Sequence, residues 1–227
     1  MKMLKINKNL TTKNYNQSRN RQIKYIVIHF TANNGDTALG NTNYFKNTYR
    51  GASAHYFVDE KEIWQCVEDK DKSWHCGTTG KYYHNYCRNY NSIGIEMCSR
   101  KDSRNNYYIK EEVVKNTIEL TKYLMKKYNV PKERVIRHYD VTHKICPAPF
   151  VYNQELWNNF LYKLDNTEIK ECDNMIYNKL EEIPDYAKEA IKHYIDNGSL
   201  KGTGYGLNLT LDMIRILTII YNDKKVV

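Results

Sequence analysis

Two histidines and a cysteine in this chain are of the residue types that bind a metal ion and end or follow predicted strands. His29 ends the apolar run IKYIVIHF (residues 23–30), His138 ends the shorter run RVIRH (134–138), and Cys146 follows eight residues later across a proline-bounded loop. Two imidazoles and a thiolate are first-choice zinc ligands. Three protein ligands leave a fourth tetrahedral position for water, which marks a catalytic rather than a structural site. Zinc in that setting acidifies water and polarises a carbonyl, as hydrolysis of an unactivated amide requires. Glu96 sits within the apolar pattern SIGIEMC (92–98). An ionised carboxylate is costly there without a partner or a task, so Glu96 is the candidate base. Lys144, two residues before Cys146, could hold an oxyanion as a carbonyl becomes tetrahedral. Each residue also has a plainer reading. A strand-end histidine is often structural, Glu96 can face solvent or pair with an arginine, and Cys146 can be a small buried hydrophobe.

The elements that must position these groups follow from periodicity. The run at 23–30 is rich in β-branched residues and continuous, the pattern of a strand covered on both faces. A helix is expected within 37–50. AHYFVD and EIWQCV, parted by Glu60 and Lys61, read as a hairpin, SWHCGTTG falls in a polar hairpin or loop, and 92–98 reads as a buried strand. Residues 111–128 place Val114, Ile118, Thr121, Met125 and Tyr128 at helical spacing, and Asn129-Val130-Pro131 stops them. YDVTHKICPAPF is expected as a loop. A helix over 152–164 should pack through Leu156, Trp157, Phe160 and Leu161. Strand and helix alternate, so an α/β or α+β domain with a central sheet is expected. Beyond residue 165 the pattern turns helical: 169–180, then a helix entered at Pro184 and ended by Gly198, then LTLDMIRILTIIY. The domains are therefore placed at 1–165 and 166–227. Gly202, Gly204 and Gly206 follow a helix and lack a Lys-Ser/Thr pair, so they read as a turn rather than a phosphate loop.

Composition limits the alternatives. The 227 residues include 41% hydrophobic residues and 21 tyrosines, enough for packed cores and against global disorder. No apolar run is long enough for a membrane span, and the first residues hold no apolar signal core, so synthesis in the cytoplasm without a signal peptide is expected. A net charge of +9 favours a polyanionic partner without choosing among nucleic acid, anionic lipid and acidic wall polymers. The six cysteines show no CxxC pair, and apart from Cys146 most read as free thiols.

Five motifs in order, IVIHFTA, SAHYFVD, SWHCG, NSIGIEM and RHYDVTHKICPAPF, resemble the zinc-dependent N-acetylmuramoyl-L-alanine amidases of the amidase-2 type, which share their fold with peptidoglycan recognition proteins. The resemblance implies a central mixed β-sheet flanked by helices. It also implies one zinc ion per chain on His29, His138 and Cys146, with Glu96 and Lys144 catalytic. Thr31, His55, Trp74, His75 and Asn91 match positions near the substrate groove, with packing the equal alternative for His55, and Asp140 matches an acidic residue that orients a histidine ligand. One branch carries a tyrosine where Ala54 stands here, which aligns this chain with the users of Glu and Lys. The implied reaction is cleavage of the amide between the lactyl group of N-acetylmuramic acid and L-alanine. The implied protein is a phage endolysin or autolysin acting on the wall after release. The tail resembles half of a surface-layer-homology-like wall-binding module. It is expected to bind the wall or to form homo-oligomers, with an acidic secondary wall polymer as a further partner. A recognition protein that binds peptidoglycan without cutting it is the alternative, and the presence of all three ligands argues against it. Specific nucleic-acid binding lacks a motif.

Overall fold

The computed structural model describes residues 3–77, 80–165, 176–204 and 206–223. It falls into two units, Met1–Thr167 and Glu168–Val227. In the first unit the strands are β1 (Ile6–Lys8), β2 (Tyr15–Asn16), β3 (Tyr25–Phe30), β4 (Tyr56–Val58), β5 (Ile63–Gln65), β6 (Lys72–Ser73), β7 (Ser92–Met97), β8 (Arg100–Lys101), β9 (Tyr107–Tyr108) and β10 (Val135–Arg137). Its helices are α1 (Ala38–Lys46), α2 (Glu111–Tyr128), α3 (His138–Thr142), α4 (Ala148–Tyr152) and α5 (Gln154–Asp165).

Six strands make one sheet in the order β1-β5-β4-β7-β3-β10. Only β4 and β5, the expected hairpin, pair antiparallel; the other neighbours are parallel, so the sheet is mixed. Every residue of β3 is buried, as its unbroken apolar run requires of a strand covered on both faces. Side chains alternate between those faces. Ile26 and Ile28 of β3 join Ile93, Ile95 and Met97 of β7 in the main core, with Val113, Leu120 and Leu124 of α2 and Trp157, Phe160 and Leu164 of α5. Tyr25, Val27 and His29 face the other way. The register aligns His29 with Glu96, Val27 with Gly94 and Tyr25 with Ser92, so these six share the opposite face. Helix α1 packs on that side through Ala38 and Phe45, against Phe57 of β4.

Helix α2 spans the expected residues and ends on Asn129 in the left-handed conformation, its N–H bonded to the Met125 carbonyl. Its buried face is rotated from the expected one. Val113, Thr117, Leu120 and Leu124 are buried with Ile118 and Thr121, whereas Val114, Met125 and Tyr128 are only partly covered. In α5, Trp157, Phe160 and Leu164 are buried and Leu156 is exposed. The segment expected as a loop after His138 instead holds α3 and α4, and His138 is the first residue of α3 rather than the last of a strand.

The second unit contains α6 (Asp185–Asp196) and α7 (Leu211–Asp223). Its core is Tyr177, Ile183, Ala187, Ile191, Leu209 and Ile214. The helix expected over 169–180 lies outside the described residues as far as 175. Tyr177 then bridges to Leu209, and Leu180–Glu182 is a short 3-10 turn. Thr203 and Gly206 close a tight turn, and a Cβ on Gly202 would come within 2.5 Å of the Gly206 carbonyl oxygen. The glycines thus serve the turn itself.

Candidate active site

The face of β3 and β7 that carries His29 and Glu96 forms the floor of a cavity of about 600 Å³. Parallel pairing with β10 places His138 one step beyond the pair Arg137–Ile28, next to His29. The two imidazole rings lie 4.7 Å apart. The loop between α3 and α4 returns Cys146 to the same point, with its Sγ 3.7 Å from His29 Nδ1. One donor atom from each of His29, His138 and Cys146 lies within 4.8 Å of the others, and all three side chains are buried. Neither ring nitrogen of His138 has a partner in hydrogen-bonding geometry. A buried imidazole left so is costly, and a cation between the three donors would remove the cost. The donor set of two nitrogens and a sulfur suits zinc.

The electrostatics of the two histidines agree with that fit. Burial holds His29 well below the ordinary histidine pKa, with His138, His75 and Lys144 adding to the shift. Burial, then Lys144 and His75, lowers His138 to about 3. Both rings are therefore neutral, the state a metal requires. Burial pushes the Cys146 thiol up, and Glu96 adds to the effect. Glu96 Oε1 is 4.0 Å from His29 Nδ1, and Oε2 is buried without a partner. Burial raises Glu96 to about 8, opposed by the positive charge of Lys144 and assisted by Asp36. The exposed Lys144 lines the cavity beside these groups.

The sequence profile of the family described as N-acetylmuramoyl-L-alanine amidase, Amidase_2, matches residues 19–149. The chain belongs to the amidase-2 family. It is 37% identical over 152 residues to the N-acetylmuramoyl-L-alanine amidase CwlL of Bacillus licheniformis, a match covering 63% of this chain and 41% of that protein. It therefore spans about two-fifths of that relative's length. Among solved structures, a mutant endolysin from Bacillus subtilis superposes with a TM-score of 0.59 at 28% identity, over 71% of this chain and 99% of that one. The structure of PlyL gives a TM-score of 0.62 at 25% identity, over 73% and 100%. The mixed sheet with flanking helices expected from the motifs is the fold of these structures.

In this amidase-2 chain the groove residues inferred from the motifs separate into two groups. Thr31, Trp74 and His75 line the cavity with Glu96 and Lys144. The Trp74 indole is held by an Nε1–H bond of 2.7 Å to Asn16 Oδ1. His55 does not line the cavity; it is fully buried, 2.7 Å from both Arg19 Nη2 and Ser73 Oγ. The backbone N–H of Gly94 donates to His55 Nδ1, so the ring ties β7 to the segment around β6. Asn91 is also structural. Its amide accepts from Arg88 N–H and donates to the Tyr86 carbonyl, closing the short turn that leads into β7. Among the described residues Asp140 makes no direct hydrogen bond to His29 or His138. Its carboxylate accepts from the backbone N–H and the guanidinium of Arg137, which fixes the first turn of α3. Sequence reasoning missed Asp36, Asn41, Tyr44 and Ser53, which also line the cavity. They lie on α1 and its flanking loops, where spacing carries no sign of the sheet face they oppose.

Proposed function

We propose that the chain is a zinc-dependent peptidoglycan hydrolase that cleaves the amide between the lactyl group of N-acetylmuramic acid and the L-alanine of the stem peptide. The observation that carries this reading is the convergence of His29, His138 and Cys146, with unpartnered His138 nitrogens and Glu96 beside them. When bound, zinc supplies a Lewis acid that acidifies water and polarises a carbonyl. Glu96 is suited to the proton transfers. In its ionised form the Glu96 carboxylate takes a proton from the attacking water, then returns it to the alanine nitrogen as the carbon–nitrogen bond breaks. Lys144 places positive charge at the cavity wall, where the carbonyl oxygen becomes negative. Thr31, Tyr44, Ser53 and Trp74 offer hydroxyls and aromatic surface for glycan and peptide.

The relatives' names support an endolysin or autolysin role, and the proposed site of action is the wall, after release from the cytoplasm. Among the described residues no helix is long and apolar enough to cross a membrane. The second unit is the proposed wall-binding or oligomerisation domain. On α7, Met213, Ile216, Ile219 and Ile220 are exposed, which supports self-association through that helix. The deciding experiment incubates the protein with purified cell walls, with and without a zinc chelator, and identifies new chain ends by mass spectrometry. Chelator-sensitive release of L-alanine amino termini without new reducing sugars is expected. Binding without new ends would leave the non-catalytic recognition protein as the reading.

A further inference from the structure

We propose that His75 is a positioning residue for the metal site, holding His29 with Nε2 protonated so that Nδ1 is the atom left to bind the ion. The inference deepens the metal-site reading above and rests on it. The hydrogen bonds start from a group whose role is fixed. The Arg88 carbonyl can only accept, and Ser92 Oγ lies 2.7 Å from it, so the single hydroxyl hydrogen of Ser92 is committed there. Ser92 Oγ must then accept from His75 Nε2, at 3.1 Å. A neutral imidazole carries one N–H, so His75 Nδ1 is an acceptor. It faces His29 Nε2 at 3.1 Å and takes that hydrogen. His29 Nδ1 is left as the acceptor nitrogen, its lone pair on the side of Cys146 Sγ and Glu96 Oε1, 3.7 and 4.0 Å away. Four groups in sequence, ending on a backbone carbonyl, thus set the tautomer of one metal ligand.

The surroundings hold His75 in this geometry. Asn89 Oδ1 accepts from the backbone N–H groups of His75 and Cys76, at 3.1 and 2.7 Å. The His75 ring lies against Gly94 of β7, where a Cβ would come within 2.6 Å of its Cγ and 2.7 Å of its Nδ1. Glycine between Ser92 and Glu96 therefore leaves the space the ring occupies. The Cys76 thiol is a further polar neighbour, with Sγ 3.4 Å from His75 Nδ1, 3.8 Å from His75 Nε2 and 3.3 Å from Ser92 Oγ, and the His55 ring lies 5.6 Å from that of His75. His75 touches the cavity, but its hydrogen-bonding atoms point at His29 and Ser92. Its principal task is to aim a ligand, rather than the substrate contact inferred from its motif.

The test measures zinc affinity by competition with a chromogenic chelator for the full chain and four variants. His75→Phe, which keeps the ring volume and removes the acceptor, should bind zinc 10- to 100-fold more weakly. His75→Asn should restore most of the affinity, because its amide oxygen can accept near the position of Nδ1. Ser92→Ala and Gly94→Ala, which disturb the sequence of bonds at two other points, should each weaken binding several-fold. In metal-free wild type, nitrogen NMR should find His29 protonated at Nε2, a readout that needs no variant to fold. Wild type that binds no zinc would remove the metal site itself. Zinc binding by wild type and His75→Phe with equal affinity, or His29 protonated at Nδ1, would overturn the role of His75 alone.

Discussion

Glu96 and the two histidines of the proposed metal site, His29 and His138, respond to pH in opposite senses, and the metal-free protein should show both. Burial raises Glu96 to about 8, above the ordinary carboxylate value that its unfolded state keeps. Between those values the folded state binds the extra proton, so stability falls as pH rises from about 4.5 to 8. His138 is lowered to about 3 and His29 is lowered well below 6.5. For them the unfolded state binds the extra proton, and stability falls as pH drops below about 6.5. In metal-free protein Glu96→Gln should therefore be more stable than wild type at pH 8.5, by about 2–4 kcal/mol, with the advantage gone at pH 4. Urea denaturation at the two pH values checks this, and equal gains at both would mean that the variant acts through packing. Cys146 poses the complementary case. Cys146→Ser keeps the size of the side chain and exchanges a soft sulfur for a hard oxygen, so zinc affinity should drop by at least about tenfold while the melting curve of the metal-free protein changes little.

At the scale of elements, two parallel strands do most of the positioning, and their sequences announce it. The unbroken IVIHF marks a strand covered on both faces, and the alternation in SIGIEM puts Ser92, Gly94 and Glu96 on one side, so their alignment with Tyr25, Val27 and His29 needs only the parallel register. The motifs likewise brought out His29, Glu96, His138, Lys144 and Cys146, which the structure brings to one cavity or its wall. Less was legible where tertiary contacts decide. Helix α2 offers apolar residues on more than one side, and the one that packs on β7 and α5 is chosen by the sheet. His55 and Asn91 carry motif signals that arise from hydrogen-bonded turns, which sequence cannot distinguish from groove contacts. The short helix α3 hid within an apparent loop because its start is stabilised by Arg137 and Asp140 rather than by apolar spacing. Asp140→Ala should release that first turn, costing about 1 kcal/mol of stability by chemical denaturation. Because His138 is the first residue of the same turn, zinc affinity should weaken with it. Lost stability with unchanged affinity would show that β10 alone places the ligand.

Across the whole molecule the basic charge is divided unequally. Residues 1–167 carry 27 Lys and Arg against 16 Asp and Glu, whereas residues 168–227 carry 8 against 10. The attraction to a polyanion thus resides in the unit with the candidate active site, although the second unit is the proposed wall-binding domain. An acidic wall polymer would be drawn to the amidase-2 unit, and binding by the second unit must rest on shape, hydrogen bonds and apolar contact. These two contributions have different salt dependence, because screening shortens the reach of exposed charges to about 8 Å at 0.15 M and about 3 Å at 1 M. Affinity of the full chain for walls rich in acidic polymer should fall by at least about tenfold between 0.05 and 0.5 M salt. Replacing the exposed Lys24, Lys61 and Lys126 by glutamine should flatten that dependence, whereas replacing Lys188, Lys192 and Lys201 should leave its slope in place. Pelleting assays with walls at stepped salt concentrations read both. If the second set flattens the curve and the first does not, the polymer is held by local contacts on the helical unit, and the charge excess of the amidase-2 unit serves attraction to its substrate alone.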